Sequence, residues 1–555
     1  MKTVVALAAC ASLFALSAAV AQEPSSKTPA ASQAQKPPAT TTAAPDRGVL
    51  FSPEAANSEG SVTVEGQRID YRAVAGTIVV HPRDWDDAAT TEQSSTKPDE
   101  KNLGDENNPK AEASMFYVAY FKKGVPSADR PITFIYNGGP GSSSVWLHMG
   151  AFGPRRVVTA DNSHTPAAPY GLVDNAYSLL DASDLVFIDA PGTGFSRIAG
   201  KDKEKAFYGV DADAHAFGQF VLGFLSKYGR WNSPKYLFGE SYGTPRSAVL
   251  VNELETGEDI DFNGVILLSQ ILNFDLSADG PELNPGTEEP YIVSLPTYAA
   301  TAWYHNRIPG GRPAELEPFL KEVEDFATGD YARALLAGSQ LDPAQRQAVA
   351  ERLAHYTGLS VAYVLKANLR IDGGEFEKNL QDEAGLTTGR LDTRFSGPSL
   401  DPLSKESEYD PQSAAISSAY VSLFNDYVRK TLGFGEGRIF KPEINVFKYW
   451  TYDHQAPGQP FPAPGILNVM PDIANAMKYN PNLKVMVAGG YYDLATPFFE
   501  GWYEMHHLPV PADLLSNIEF HYYQSGHMVY AHEASLKALH DDAAAFIRKT
   551  DNLAK

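Results

Sequence analysis

The run Tyr236-Leu237-Phe238-Gly239-Glu240-Ser241-Tyr242-Gly243-Thr244 is apolar at its start and ends abruptly in Gly-x-Ser-x-Gly. Residues 235–238 read as a buried strand and residues 244–254 (TPRSAVLVNEL) as a helix. A strand turning straight into a helix forces the corner residue into a strained backbone, and the flanking glycines remove the Cβ atoms that would clash there. Ser241 is thereby pushed out where a base can reach it. Gly-x-Ser-x-Gly alone is short and unspecific; its place between strand and helix gives it meaning.

Outward from this corner, apolar runs of strand length recur at residues 132–136, 185–188, 265–268, 485–488 and 518–522, each bounded by Gly/Pro turns or helical patterns. Helical patterns at 214–227 and 538–549 alternate with them, which predicts an α/β protein with a mostly parallel central sheet. Upstream, the alternation at 61–66 and 69–80, with joints expected at Gly66 and Gly76, and the run 115–121 predict twisted antiparallel strands. Residues 84–112, rich in Asp, Glu, Asn and Lys, read as a solvated loop. More than two hundred residues separate the runs 265–268 and 485–488, with helical patterns at 315–326, 342–356 and 413–432. Asp342-Pro343 is a helix start, with the aspartate as N-cap and the proline in the first turn. Such an insert cannot sit inside a parallel sheet. Residues 275–440 are therefore expected to form a cap over one edge, with the core shared between 49–274 and 441–555.

A chain of 555 residues, 43% hydrophobic and 21% charged, can bury a large core. Lys2, the apolar run 4–16 and Ala19-Val20-Ala21 predict a secretory signal peptide over residues 1–21, hence a periplasmic or secreted protein. The run is too short to span a bilayer. Leu7-Ala8-Ala9-Cys10 also imitates a lipoprotein box, but it follows Thr3 too closely and the apolar run continues past it. Residues 22–48, rich in Ala, Pro, Thr, Ser and Gln, read as a disordered tether. Cys10 is the one cysteine, so the exported chain is expected to hold without disulfides. A net charge of −22 argues against nucleic acid or an anionic lipid surface as partner.

A serine hydroxyl is a poor nucleophile until a base takes its proton and a carboxylate orients that base. Asp493, in Val487-Ala488-Gly489-Gly490-Tyr491-Tyr492-Asp493, follows a strand and a glycine pair; His527, in Gln524-Ser525-Gly526-His527, follows the next strand. Each alone is a turn or cap residue as readily as a catalytic one. Together they complete the order Ser, Asp, His of an α/β-hydrolase fold. Tyr136-Asn137-Gly138-Gly139-Pro140-Gly141-Ser142-Ser143-Ser144 follows the run 132–136. Its glycines let backbone N–H groups face a cavity, which makes Gly139 and Tyr242 candidate oxyanion donors. A phosphate loop would need a lysine that is absent. His506, His507 and His521 lack companion carboxylates, so no metal site is expected.

NGGPGSSS, IDAPGTGFS (188–196), GESYG and GHMV, in this order over residues 137–529, resemble the serine carboxypeptidase family. The resemblance implies an α/β-hydrolase fold with an inserted, largely helical cap, no cofactor, and removal of C-terminal residues from peptides, best at acid pH. It assigns Ser241 as nucleophile, His527 as base and then acid, Asp493 as orienting carboxylate, and Gly139 with Tyr242 as oxyanion hole. Asn137, Gly138 and Glu240 fall on positions that hold the substrate's terminal carboxylate, for which Glu240 must be protonated because two anions in contact repel. Three departures stand out. The family's second carboxylate-binding glutamate falls, by ungapped count, on Ala151, with Arg155 and Arg156 just beyond as alternative sources of charge. Thr244 stands where glycine is usual, and the family's cap disulfides cannot form. An esterase or acyltransferase on the same scaffold is the alternative that Ala151 motivates. A catalytically silent binding protein is a further one, and the prolyl aminopeptidases, which share a GGPG loop, are more distant because Asn137 replaces their histidine.

Overall fold

Side chains alternate between two apolar layers along every central strand. Tyr236 and Phe238 face one layer and Leu237 the other; Ile266 and Leu268 face the first, Val265 and Leu267 the second. A strand buried on both faces needs an unbroken apolar run, which is why these segments read as continuous rather than alternating. In the computed structural model, residues 50–83, 85 and 110–553 are described. The expected signal peptide, the tether and most of the loop expected at 84–112 lie outside them.

Nine strands among these residues follow one path: β1 (Ala55–Val64), β2 (Gln67–Val80), β3 (Glu112–Lys122), β4 (Ile132–Tyr136), β5 (Asp184–Ile188), β6 (Lys235–Glu240), β7 (Gly264–Leu268), β8 (Lys484–Gly490) and β9 (Ile518–Tyr523). Their spatial order is β1-β2-β3-β5-β4-β6-β7-β8-β9, and a short strand, Arg197–Ala199, pairs with β3 off the path. The pairs β1·β2, β2·β3 and β3·β5 are antiparallel; every pair from β5 through β9 is parallel. An antiparallel lead-in followed by a parallel run, with β5 and β4 exchanged in space, is the α/β-hydrolase fold. The described residues make one compact unit.

Glu65 and Gly66, both at positive φ, close the β1–β2 hairpin as a two-residue turn. Gly76 is not a joint. It lies inside β2, where a Cβ would come within 2.6 Å of the Glu54 carbonyl and 3.0 Å of the Tyr117 hydroxyl, so its glycine marks close approach rather than a turn.

The main helices flanking the sheet and lying in the insert are α1 (Val210–Tyr228), α2 (Gly243–Gly257), α3 (Glu289–Tyr304), α4 (Pro411–Lys430), α5 (Met470–Tyr479), α6 (Phe498–His506) and α7 (Glu533–Thr550). The sequence between β7 and β8 also forms helices Leu316–Phe326 and Pro343–Thr357. Asp342 accepts the Ala344 and Gln345 amides at the start of the latter, and Gly358 ends it in the left-handed region. A third apolar cluster joins Tyr298, Phe319 and Tyr356 of these helices to Tyr492, Leu494, Phe498 and Phe499, the segment just after β8. Packing of the insert thus reaches the carboxyl end of the sheet.

Candidate functional site

Ser241 follows the last residue of β6 and takes φ +60°, the left-handed region that a residue with a Cβ occupies only under constraint. Its N–H donates to the Leu268 carbonyl at 3.0 Å, which pins the corner to the end of β7. A side chain on Gly239 would overlap the Gly243 carbonyl and stand 2.6 Å from Ser247 Oγ, so only glycine lets α2 start this close to β6. Thr244, fully buried, turns its hydroxyl back to the Ser241 carbonyl at 2.8 Å while accepting the Ile271 amide at 3.1 Å. The threonine thus ties the corner to the segment that follows β7.

His527 Nδ1 stands 2.8 Å from Asp493 Oδ2. Asp493 is fully buried: Oδ1 accepts the Ala495 and Thr496 amides at 2.9 and 3.0 Å, and Oδ2 accepts the Thr496 hydroxyl at 2.8 Å. With Nδ1 given to the carboxylate, Nε2 is the ring nitrogen left for another partner. Burial lowers the affinity of the imidazole for a proton, but Asp493 and Glu240 outweigh it and the net shift is upward. The His527 carbonyl accepts Ser269 Oγ at 2.7 Å, next to the Leu268 carbonyl that holds Ser241. Serine, imidazole and carboxylate thus share one rim of the sheet.

The loop after β4 is built against the same corner. A Cβ on Gly138 would overlap the Tyr242 amide, and Gly139 takes φ +106°. Arg246 of α2, buried and paired with Asp213, donates from Nη1 to the Asn137 carbonyl at 2.8 Å, so the nucleophile's own helix carries the loop. Asn137 Oδ1 accepts the Leu147 amide at 3.1 Å. The far end of the loop hangs on Asp189 of the IDAPG stretch, whose Oδ1 accepts both the amide and the hydroxyl of Ser144 at 2.8 Å.

Glu240 is buried, and its Oε2 has no partner. Burial pushes its carboxyl up to about 7, against the pull of His527, Tyr530 and Asn137. At neutral pH it is therefore split between acid and carboxylate, and below that it is an O–H donor. The Tyr530 hydroxyl is buried beside it, near enough to Glu240 and Asn137 to interact but outside hydrogen-bond geometry to any group. Ala151 is buried within Leu147–Phe152, and its carbonyl accepts Asn175 Nδ2 at 2.7 Å. Neighbouring Gly150 lies so close to the Tyr530 ring and the Tyr420 hydroxyl that a Cβ would stand 2.6–2.7 Å from both. Phenols therefore crowd the space around Glu240.

Every residue singled out from the sequence, Asn137, Gly138, Gly139, Glu240, Ser241, Tyr242, Asp493 and His527, thus lies in segments that meet at the carboxyl ends of β4, β6, β8 and β9. Arg155 pairs with Asp174, and Arg156 with Glu533 at 3.2 Å, which gives each guanidinium a carboxylate of its own. His506 and His507 bond to backbone carbonyls of their own helix, and His521 faces Glu519 and Asp542. Among the described residues no group of three His, Cys, Asp or Glu side chains has the geometry to hold a metal, and no helix is long and apolar enough to cross a membrane. Sequence reading missed Asp189, Tyr530 and Tyr420. The first stands in a quoted motif and the second directly follows another, whereas Tyr420 carries no local signal.

Residues 105–278 match the family model described as serine carboxypeptidase. The chain is 32% identical over 137 residues to a carboxypeptidase Y homolog of Arthroderma benhamiae, covering 24% of this chain and 25% of that protein. It is 27% identical over 177 residues to the serine carboxypeptidase ctsa-3.2 of Caenorhabditis elegans, covering 30% and 32%. The matched stretches thus span a quarter to a third of these relatives' lengths. Among solved structures, a proline iminopeptidase of Mycobacterium smegmatis aligns over 89% of this chain and 99% of its own, at 12% identity and a TM-score of 0.32.

Proposed function

We propose that the chain, whose residues 105–278 match the serine carboxypeptidase model, is a member of that family and releases C-terminal residues from peptides through an acyl-enzyme on Ser241. In this reading Ser241 Oγ attacks the scissile carbonyl while His527 Nε2 takes its proton, and Asp493 holds the imidazole through Nδ1 and stabilises the cation that forms. Negative charge on the carbonyl oxygen falls to the amides of Gly139 and Tyr242. Collapse breaks the C–N bond, and His527 returns its proton to the leaving amine. Water then attacks the ester with His527 again as base, and the acid product leaves with Ser241 restored.

The observation that carries the exopeptidase reading is Glu240, a buried carboxyl with an unpartnered oxygen beside Asn137 and Tyr530. Protonated, it can donate to a substrate carboxylate; ionised, it repels one. Its value of about 7 fixes the sign: the binding form dominates below pH 7 and is lost as pH rises through it. Peptide KM should therefore climb above neutrality, while binding of a C-terminal amide should not follow that curve. Cleavage of the free-acid peptide but not its amide is the expected result, and equal cleavage of both at every pH would refute C-terminal recognition.

A second reading rests on Ala151. A methyl where the family's second acid falls leaves Glu240 without its partner, and an esterase or acyltransferase on this scaffold would need none. Turnover of a neutral acyl ester far above any peptide would favour it. The segment 275–440 is proposed as the cap that lines the substrate pocket, supported by the apolar cluster it shares with Tyr492 and Phe498. Export is proposed on the run at residues 4–16.

A further inference from the structure

Between β7 and β8 the chain sends one short segment, Gly389-Arg390-Leu391-Asp392-Thr393-Arg394-Phe395, underneath both loops that carry His527 and Asp493. Its backbone is bonded to each in turn. The Leu391 carbonyl accepts the His527 amide at 2.6 Å, the Arg390 carbonyl accepts the Leu494 amide at 3.1 Å, and the Thr393 amide donates to the Tyr492 carbonyl at 2.9 Å. Asp392, fully buried, accepts the Gly526 amide on Oδ2 at 3.2 Å, and a Cβ on Gly526 would stand within 2.5 Å of the Asp392 carboxyl carbon and the Leu391 carbonyl. The residue before the histidine must be glycine because this segment occupies the space.

The segment is in turn held from behind. Arg394 closes a fork on Asp392, Nε to Oδ1 at 3.0 Å and Nη2 to Oδ2 at 2.7 Å, and its side chain is buried with it. Thr393 bonds to Thr301 Oγ1 at 2.6 Å and, through its carbonyl, to His305 Nε2 at 2.6 Å, both on or just after α3. Asp410, the N-cap of α4, accepts the Arg390 amide at 2.9 Å. Two helices of the insert therefore fix the strap, and the strap fixes the backbone on either side of the Asp493–His527 bond.

We infer that Asp392, locked by Arg394, is a positioning residue for His527, and that through it the insert is part of the catalytic machinery rather than only a cover for the substrate. The inference rests on the serine-hydrolase reading of Ser241 and His527. A buried carboxylate that is charge-neutralised by one guanidinium and still accepts the Gly526 amide sets the height of the next residue. A shift of the ring by about 1 Å is enough to cost roughly 100-fold in rate, because proton transfer depends on the donor–acceptor distance.

The test is the rate of fluorophosphonate labelling at Ser241 as a function of pH, measured on the full chain, because it needs no knowledge of the substrate. In Asp392→Asn the fork loses an acceptor and faces a donor; labelling should slow roughly 10- to 100-fold. Its acid-side inflection should also move down, since His527 owes its raised value to Asp493 and Glu240, opposed by burial and by Arg390. Arg394→Lys keeps the cation and removes the fork, so it should show a smaller loss of the same kind and serves if the Asn variant does not fold. A folded Asp392→Asn or Arg394→Lys protein that labels at the wild-type rate with an unmoved inflection overturns the inference. Absence of labelling in the wild-type protein would instead overturn the serine-hydrolase reading itself.

Discussion

The two ends of the parallel sheet both bury charge, and they treat it oppositely. At the amino ends of β4, β5 and β6, Asp184 sits between Arg130 and Arg230: Oδ1 accepts the Lys122 amide and Arg130 Nε, and Oδ2 accepts Arg230 Nη1 at 2.6 Å. The guanidiniums spend their remaining hydrogens on Ser233 Oγ and on the carbonyls of Arg130, Leu180 and Ser183. No side-chain atom of the three is left without a partner. At the carboxyl ends of the same strands, Glu240 and Asp189 each keep one buried oxygen unpartnered, and burial raises them to about 7 and about 6. A charge cluster that closes on itself registers strands. One that stays open is held there by the surrounding fold, at a cost in stability, and is free to bond something that arrives.

The contrast is broken most severely at Ser241. Removing its hydroxyl should abolish acyl transfer, with a loss of about 10⁴-fold or more, and relieve nothing that holds the fold. Ser241→Ala should therefore lose fluorophosphonate labelling and peptide trimming together while melting at or above the wild-type temperature. Retained trimming would remove the serine from the mechanism.

The opposite signature belongs to the closed cluster. Arg230→Ala leaves Asp184 with one guanidinium where it had two, strips the Arg130 carbonyl of its donor and takes a second donor from the Pro131 carbonyl, which keeps only the Asp184 amide. Breaking a buried pair of this kind costs about 3–5 kcal/mol, read as a lower denaturation midpoint with an unchanged slope. Turnover per folded molecule should not change. A variant as stable as the parent but slower would show that the amino-end cluster acts on the site, and the division drawn here would fail.

Glu240 is the case in which both readouts move. Its folded value of about 7 lies above the ordinary 4.5, so between those two values the folded chain keeps a proton that the unfolded chain releases. Stability from this group is thus greatest below pH 4.5, falls as pH rises toward 7 and is level beyond it. Glu240→Gln removes the penalty: it should melt above the parent at pH 8, by an amount on the order of 2–3 kcal/mol, and converge with it near pH 4.5. Its peptide KM should lose the climb through neutrality. A Gln variant whose KM keeps that climb would assign the titration to another group.

How far the sequence discloses this arrangement depends on the distance over which each feature is written. Gly239 makes room for the start of α2 only four residues on, so the corner at Ser241 is legible within a few positions; Gly526 makes room for Leu391 and Asp392, and Asp493 meets His527 across 34 residues, so that meeting is legible only through the order Ser, Asp, His. Helix starts are equally local, as Asp342-Pro343 shows. Asp189 is visible as part of a motif, but its task is not, because Ser144 lies 45 residues away and nothing near either residue announces the other. Tyr420 and Asp392 belong to an insert whose pattern reports only helix and loop. Gly76 reads as a joint because a glycine within an alternating run marks a turn and a close backbone approach by the same letter; only the Glu54 carbonyl and the Tyr117 hydroxyl, brought in from the chain upstream and from β3, decide between them.

Thr244 sharpens the comparison with the smallest effect, because it stands at the open end of the sheet yet is fully satisfied. Its hydroxyl takes the Ile271 amide and returns to the Ser241 carbonyl, so by the rule above it should behave like the amino-end cluster and not like Glu240. Thr244→Val keeps the shape and strands a buried amide, which costs about 1–3 kcal/mol. Thr244→Gly frees the same amide but opens space for water beside it, and should lose less than the valine unless backbone freedom in α2 adds its own penalty of about 1 kcal/mol. In neither variant is a group that touches the substrate altered, and the Ser241 amide stays on Leu268. Stability measured by denaturant should fall in both, with labelling at Ser241 within about threefold of the parent. A valine variant of normal stability and much slower labelling would mean that the strain at Ser241 is set from Thr244, and that satisfaction of hydrogen bonds does not by itself separate holding from reacting.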